Sequence, residues 1–423
     1  HRVSGPFSYG LRFDLENREN VATNNVSVSN SDLGKFRLAF DTGAQVKAWD
    51  FGIDAAYGIR RQGLFDWLSP AASEKYFGRN LLLRPSVEWN PGKLRLRLVS
   101  ENDLTTASVG SLYSLDFFRT ENRLSAEYGP SEINFGRAEI HYEYLRDTET
   151  GTNLERHRAG IRGEWDFEFF QNFFLEIGAG GSAIFRPGSS NTFFFQPKAL
   201  VSFKKWKSLR FSAGLEGYEE APFAGSGYLN EPFVFPGFPR ETDRGYLFSV
   251  EGRGVVEEIF QVKARLFLDW AFERNGLRVS TNNLRVFAAQ GGAVLPGASL
   301  SMKLDMRKIV QATFEGRYTG MPSPISFLPA LELKAGIAVH IPETGTTFRV
   351  EDRLRVGEQV EKTSGVFQAL ADRNLLGIKL EQAIGKKILI VFSIRNLLDN
   401  ADEWTPGVRE FGRTFHLGTE LEF

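Results

Sequence analysis

The sequence predicts an all-β protein, a transmembrane antiparallel β-barrel of about twenty strands bracketed at roughly 18 to 22, with short turns on one side and long loops on the other. Three observations predict it. Apolar and polar side chains alternate in stretch after stretch, short and long connections alternate along the chain, and aromatic residues gather where the short turns meet the strands.

The alternation is clearest from Phe260 onward. Phe260, Val262, Ala264, Leu266, Leu268, Trp270 and Phe272 share one face, and Gln261, Lys263, Arg265 and Asp269 share the other. Side chains in a strand point to opposite faces in turn, so a strand between lipid and water must be written this way for about 9–11 residues. The pattern recurs in Phe7, Tyr9, Leu11, Phe13 and Leu15, set against Arg12, Asp14 and Glu16. It returns in His157, Ala159, Ile161, Gly163, Trp165, Phe167 and Phe169, set against Arg158, Arg162, Glu164, Asp166 and Glu168. Strands of a buried parallel sheet would be apolar on both faces, whereas here one face carries charges throughout.

Tight connections are expected near Trp49-Asp50, 90–93, 129–131, Gln171-Asn172, 205–207, Glu257-Glu258, 305–307, 342–345 and Gly385-Lys386. Between them fall longer loops over 17–34, 62–80, 103–120, 146–154, 186–191, 219–244, 273–282, 319–329, 355–374 and 397–412. The stretch 284–303 is long enough to conceal a further hairpin. Counting strands between these breaks returns both ends of the chain to the short-turn side, as bacterial barrels require. The expectation is one barrel domain over residues 1–423. Trp49, Phe51, Trp89, Tyr128, Phe170, Phe173, Trp206 and Phe260 cluster at the short turns, where amphipathic rings favour the headgroup level.

Composition narrows the classes further. Lys+Arg 51 against Asp+Glu 52 leaves a formal net charge of -1, which does not suit a polyanionic partner, so no nucleic acid is expected. The chain has no cysteine, which excludes disulfides and thiolate metal sites and suits passage through an oxidising periplasm. The longest apolar run, Ile388 to Phe392, is far short of the roughly 18 residues a membrane-spanning helix needs. A chain that opens on His1 rather than Met reads as a mature or trimmed form.

The last residues, Arg413 to Phe423, alternate strictly and end on Phe; they resemble the terminal strand that marks outer-membrane proteins for barrel assembly, with Phe423 as the signal. Upstream, Ile388 to Ile394 leads into Arg395-Asn396-Leu397-Leu398-Asp399, then Pro406-Gly407, Gly412-Arg413 and Phe415. This series resembles the closing hairpin of TonB-dependent receptors, specifically over roughly the final 40 to 50 residues and only generally elsewhere. Leu209 to Phe223, a strand ending Tyr218-Glu219-Glu220-Ala221-Pro222-Phe223, is a weaker echo of the family's strand-then-Ala-Pro loop entry. Leu398 stands where the family usually has Phe, and Pro406-Gly407 is separated from Arg413. The resemblance implies a location in the outer membrane of a Gram-negative bacterium, with membrane lipid and the barrel assembly machinery as partners. It also implies a plug domain and a TonB-contacting box before the first strand, whereas strand one here begins within a few residues of His1. A barrel this wide needs a stopper: a plug lost upstream, a separately supplied plug or partner protein, or a long loop, unless it is an open pore.

Candidate sites follow from the inward charges. Arg349, Arg353 and Arg355 lie on one face of one strand, and with Arg95 and Arg97 they are the expected contacts for an anionic ligand or a plug. The loop bearing Phe223, Tyr228, Phe233, Phe235 and Phe238 is the expected extracellular contact surface. Parity turns His141 inward and His157 outward, so they share no metal, and no cofactor motif is expected. Gly178-Ala179-Gly180 sits inside a strand with no helix after it, unlike a dinucleotide site. No Ser, His and carboxylate set falls on one face, which argues against an enzyme. The leading expectation is therefore a transport barrel. A passive wide pore and a structural barrel that docks a partner are the alternatives.

Overall fold

The computed structural model describes residues 2–4, 7–18, 22–23, 26–27, 33–63, 75–109, 113–131, 134–149, 152–188, 191–206, 208–220, 234–235, 243–257, 259–273, 275–279, 285–289, 291–306, 309–321, 324–325, 328–363, 366–385, 388–400, 403–405, 408–409 and 413–421. None of them is helical. Twenty strands form the wall: β1 Phe7–Arg18, β2 Leu33–Val46, β3 Trp49–Gly63, β4 Lys75–Trp89, β5 Leu94–Val109, β6 Tyr113–Ser131, β7 Asn134–Glu149, β8 Thr152–Phe170, β9 Phe173–Phe185 and β10 Thr192–Trp206 complete the first half. The second half comprises β11 Leu209–Glu220, β12 Asp243–Val256, β13 Phe260–Glu273, β14 Ala293–Met306, β15 Val310–Thr319, β16 Leu331–Ile341, β17 Thr346–Val356, β18 Arg373–Ile384, β19 Ile388–Arg395 and β20 Thr414–Leu421. Each pairs antiparallel with the next. Strand β20 returns alongside β1, so the sheet nearly closes on itself. Residues Arg2–Ser4 add a short antiparallel piece to β1.

The wall is inside-out relative to a protein folded in water. On β13, Leu266 is 65% exposed while Asp269, three residues on, is 6% exposed. On β1, Phe7, Leu11, Phe13 and Leu15 are all exposed. Each large aliphatic or aromatic side chain left in water forgoes about 1.5–3 kcal/mol, so such a surface is stable only against hydrocarbon. Backbone polar groups are spent in the ladders, which is the condition for crossing a bilayer with strands.

Short turns fall where the sequence placed them, within a residue or two. Gln171–Asn172 joins β8 to β9; Asn172 has φ 67°, a left-handed conformation Asn tolerates well, and its N–H donates to Glu168 Oε1 at 2.9 Å. Between β4 and β5, Gly92 has φ 122°, which any side chain would strain. The long-loop boundaries need correction. Of the expected loop 103–120, all but 110–112 is strand, because β5 continues to Val109 and β6 starts at Tyr113. Likewise β4 begins at Lys75 inside the expected loop 62–80. Strands β5 to β8 are 16, 19, 16 and 19 residues long, whereas about 9–11 span the hydrocarbon. Beyond the lipid no force maintains the apolar face, yet the ladder continues.

The stretch 284–303 holds one strand of a hairpin outside the wall, Arg285–Ala289, whose partner Asn275–Val279 lies in the expected loop 273–282, and then the start of β14. Asn275–Val279 and Arg285–Ala289 pair with each other, then with Gln359–Thr363, Val366–Ala369 and Val234–Phe235, giving a five-stranded sheet built from three loops. It lies on the long-loop side of β12, β13 and β17 in the chain.

The aromatic belt takes shape at the short-turn side. Trp49 and Trp89 face each other across β3 and β4 with ring centroids 5.9 Å apart, and Phe173 meets Phe203 at 4.8 Å. Trp165 lies flat over Gly136, where an added Cβ would come within 2.4 Å of its ring, and its indole N–H donates to Asn134 Oδ1 at 2.6 Å. Gly136→Ala is expected to lift the ring, break that bond and cost about 1–3 kcal/mol by overpacking. Tryptophan emission of the lipid-reconstituted variant, with urea unfolding beside it, checks this; unchanged spectra and stability refute the packing argument.

Candidate functional site

Alternation sends most of the wall's charged side chains into the bore, whereas Arg79 and Asp352 share the outward parity of Leu81 and Phe348. On the wall made by β5 to β12, acids and bases consume one another. Glu143 is 1% exposed and receives Arg156 at 2.8 Å, Arg158 at 3.6 Å and Arg119 at 3.7 Å. Arg119 extends the network to Glu121 and to Glu101, the latter at 3.3 Å. Arg158 also reaches Glu219 at 3.0 Å, and Arg244 approaches the same carboxylate at 3.3 Å. Toward the short turns, Lys198 binds Glu164 at 3.1 Å and Glu176, while Arg162 binds Glu216 at 2.8 Å and Glu164. Charges so matched rigidify a wall; they leave little field for a solute.

The second wall is formed where the two ends of the chain meet. Strands β1, β2, β17, β18, β19 and β20 enclose a luminal recess of about 660 Å³. Among the described residues, Arg12, Lys35, Arg37, Arg349, Lys379 and Arg395 line it together with the carboxylates of Glu351 and Glu381. Both carboxylates are engaged locally, Glu351 with Arg349 at 3.6 Å and Glu381 with Lys379 at 2.5 Å.

The residues singled out from sequence are dispersed. Arg349 lines the recess. Arg353 is held by Glu332 at 2.5 Å, and Arg355 lies between Glu332 at 3.8 Å and the buried Glu358 at 2.8 Å. Glu358 in turn binds Arg373 at 2.5 Å, tying the top of β17 and β18 to the loop hairpin above. Arg95 makes a two-pronged bond to Glu88 at 2.6 and 2.8 Å, and Arg97 lies 4.0 Å from the same carboxylate. Phe223, Tyr228, Phe233, Phe238 and Phe423 lie outside the described residues; Phe235 contributes backbone to the loop sheet, in parallel register with Val286. His141 stands over Gly160 on the inner side, whereas His157 bonds the outward Tyr142 hydroxyl at 2.8 Å.

Sequence reasoning missed Arg12, Lys35, Arg37, Lys379 and Arg395 as a group. They sit on strands from opposite ends of the chain, and only barrel closure makes those strands neighbours. Parity plus the inference that the last strand must come back beside the first would have assembled them.

No family model matches the chain, and no curated protein matches it. Solved structures do. The F3-3 variant of the FrpB iron transporter from Neisseria meningitidis superposes with a TM-score of 0.76 at 10% identity, over 100% of this chain and 78% of that one. The closed form of the ferric-catecholate import receptor Fiu from Escherichia coli K12 gives 0.71 at 9%, over 100% and 78%. The copper transporter OprC gives 0.67 at 12%, over 98% and 76%. A further similar chain is solved as the FpvAI–pyocin S2 complex, at 0.70 and 9% identity over 99% and 66%. At such identities the likeness is one of fold: this chain has the barrel fold of TonB-dependent receptors.

Proposed function

We propose, taking the TonB-dependent receptor barrel fold as premise, that this protein carries a metal-bearing solute inward across the outer membrane of a Gram-negative bacterium. Supporting this reading above all is the full-length superposition on an iron transporter at a TM-score of 0.76, joined to a lipid-facing exterior and a charged bore. The neighbours are an iron transporter, a ferric-catecholate import receptor and a copper transporter. A metal chelate is large and charged, so it crosses hydrocarbon only through a wetted lumen. The wall provides scaffold and field rather than a reacting group, so the protein is a transporter and not an enzyme.

Barrels of this width are ordinarily plugged. Arg95, Arg97, Arg349, Arg353 and Arg355 all face the bore and are the proposed contacts for a plug, whether covalently linked or supplied separately. The loop carrying Phe223, Tyr228, Phe233, Phe235 and Phe238 is the proposed outer contact for cargo or a protein partner. Lipid and the barrel assembly machinery complete the partners, with Phe423 as the assembly signal.

Deletion of the gene is expected to lower cell-associated iron or copper under metal starvation, with restoration by the full-length gene. Equal accumulation of both metals with and without the protein rejects metal import. Large, steady conductance of the full-length protein in planar bilayers would identify a passive pore instead.

A further inference from the structure

We propose that a trench on the lipid-facing side of β6 to β9, toward the short turns, holds one acyl chain of a phospholipid from the leaflet on that side. This goes beyond the transport reading and does not rest on it; it needs only that the outer face meets hydrocarbon.

Cross-strand register builds the trench. Ala126, Ala138, Gly163 and Ala179 stand opposite one another on four successive strands, all on the outward parity. Two residues up the strands, away from the short turns, the same face carries Leu124, Ile140 and Ile161, and two residues down it carries Tyr128, Trp165 and Ile177, all six exposed. A floor of small side chains thus runs between two bulky ridges, enclosing about 640 Å³. A Cβ added at Gly163 would meet nothing within 4 Å, so the floor is open there. The two charged residues that border the trench have inward parity and are paired, Arg137 with Glu127 at 3.5 Å and Glu164 with Lys198 at 3.1 Å.

Position and width name the occupant. The trench is continuous with the outer face that meets lipid, so hydrocarbon lies against it. Chains resting only on the ridge tops would leave a void above the small residues and forfeit dispersion contacts; one chain lying in the trench restores them. The ridges are four residues apart along each strand, roughly 13 Å between backbones at about 3.3 Å per residue. Ridge side chains narrow that below the roughly 10–12 Å taken by an α-helix with its side chains, whereas a polymethylene chain is slimmer. Because strands of such barrels tilt by roughly 35–45°, a row across them climbs obliquely through the leaflet, as a flexible chain can. Tyr128 and Trp165 on the lower ridge stand at the headgroup level favoured by amphipathic rings, which sets the headgroup end of the lipid there.

Native mass spectrometry of the full-length protein, released from detergent micelles loaded with palmitoyl-oleoyl phosphatidylethanolamine, tests the assignment. One phospholipid is expected to stay bound at collision energies that strip the rest. Gly163→Leu, which fills the trench, is expected to reduce that adduct at least fivefold. Gly252→Leu, the same change on the outer face of β12, is expected to retain it as the native protein does. Heat-modifiable electrophoretic migration confirms that each variant is folded; if Gly163→Leu fails this check, Ala138→Leu carries the comparison, with at least threefold reduction expected. No retained phospholipid on the native protein, or equal retention by the folded trench variants, overturns the proposal. So does a dimer of the native protein that Gly163→Leu dissolves, which would make the trench a seat for a second copy. Failure of metal import leaves this site standing, and loss of the adduct leaves the transport reading standing.

Discussion

Leu266→Arg is expected to destabilise the lipid-embedded barrel by about 2–4 kcal/mol, the measured scale for a cation on the lipid face near the bilayer midplane. Leu266 stands midway along β13, points outward and is 65% exposed. In water that substitution would relieve an exposed leucine and cost almost nothing. The sign of the effect therefore reports which solvent the outer face meets. The partner experiment moves one residue along the same strand: Arg265 points inward and its guanidinium donates to Ser249 at 3.1 Å, so Arg265→Lys is expected to cost well under 1 kcal/mol. Equilibrium urea unfolding in phosphatidylcholine vesicles measures both. A cost below about 1 kcal/mol for Leu266→Arg contradicts the membrane placement of this face.

Glu143→Gln attacks the bore rather than the exterior, and a loss of about 3–5 kcal/mol is expected because it strands buried cations. Arg156, 1% exposed, would lose its 2.8 Å counterion at a position with no escape to water. Arg119 and Arg158 would lose a shared anion as well. Glu143 and Arg156 belong to adjacent strands, β7 and β8, so the pair also guards the register between them. Replacing both partners with apolar residues, Glu143→Leu with Arg156→Met, is expected to recover more than half of the loss, since removing a buried pair whole is far cheaper than breaking it. The same vesicle unfolding assay decides. A single-variant cost under 1 kcal/mol, or a double variant worse than the single, shows that the arginines find other partners.

The strand pattern was legible wherever lipid imposed it. Along β13 the alternation from Phe260 to Phe272 matches the outer face residue by residue, and the parity that set His141 inward and His157 outward holds in the structure. The pattern faded where the strands outrun the membrane, as at 103–120, because there both faces meet water and pairing is carried by the backbone, which has no sequence signature of its own. The loop sheet joining 234–235, 275–289 and 359–369 was invisible for a related reason: its parallel registers link segments far apart in the chain, with no turn between them to announce the pairing.

Inward charges could be recognised one strand at a time, but not which of them pair across strands and which gather around the recess at the closure of the barrel. Arg353 and Arg349 occupy equivalent parities on β17, yet Arg353 is bound to Glu332 and Arg349 lines the cavity. Which of two like residues is spent on a wall carboxylate depends on what the neighbouring strand presents at the same height, and that is a matter of register. What this amino-acid sequence determined by itself was solvent: which atoms meet oil and which meet water, since period-two patterning is a local property of the chain. What only the tertiary structure decided was company, because bringing residue 12 beside residue 395 requires the closing of the ring, and charges compensate or accumulate according to their neighbours across strands.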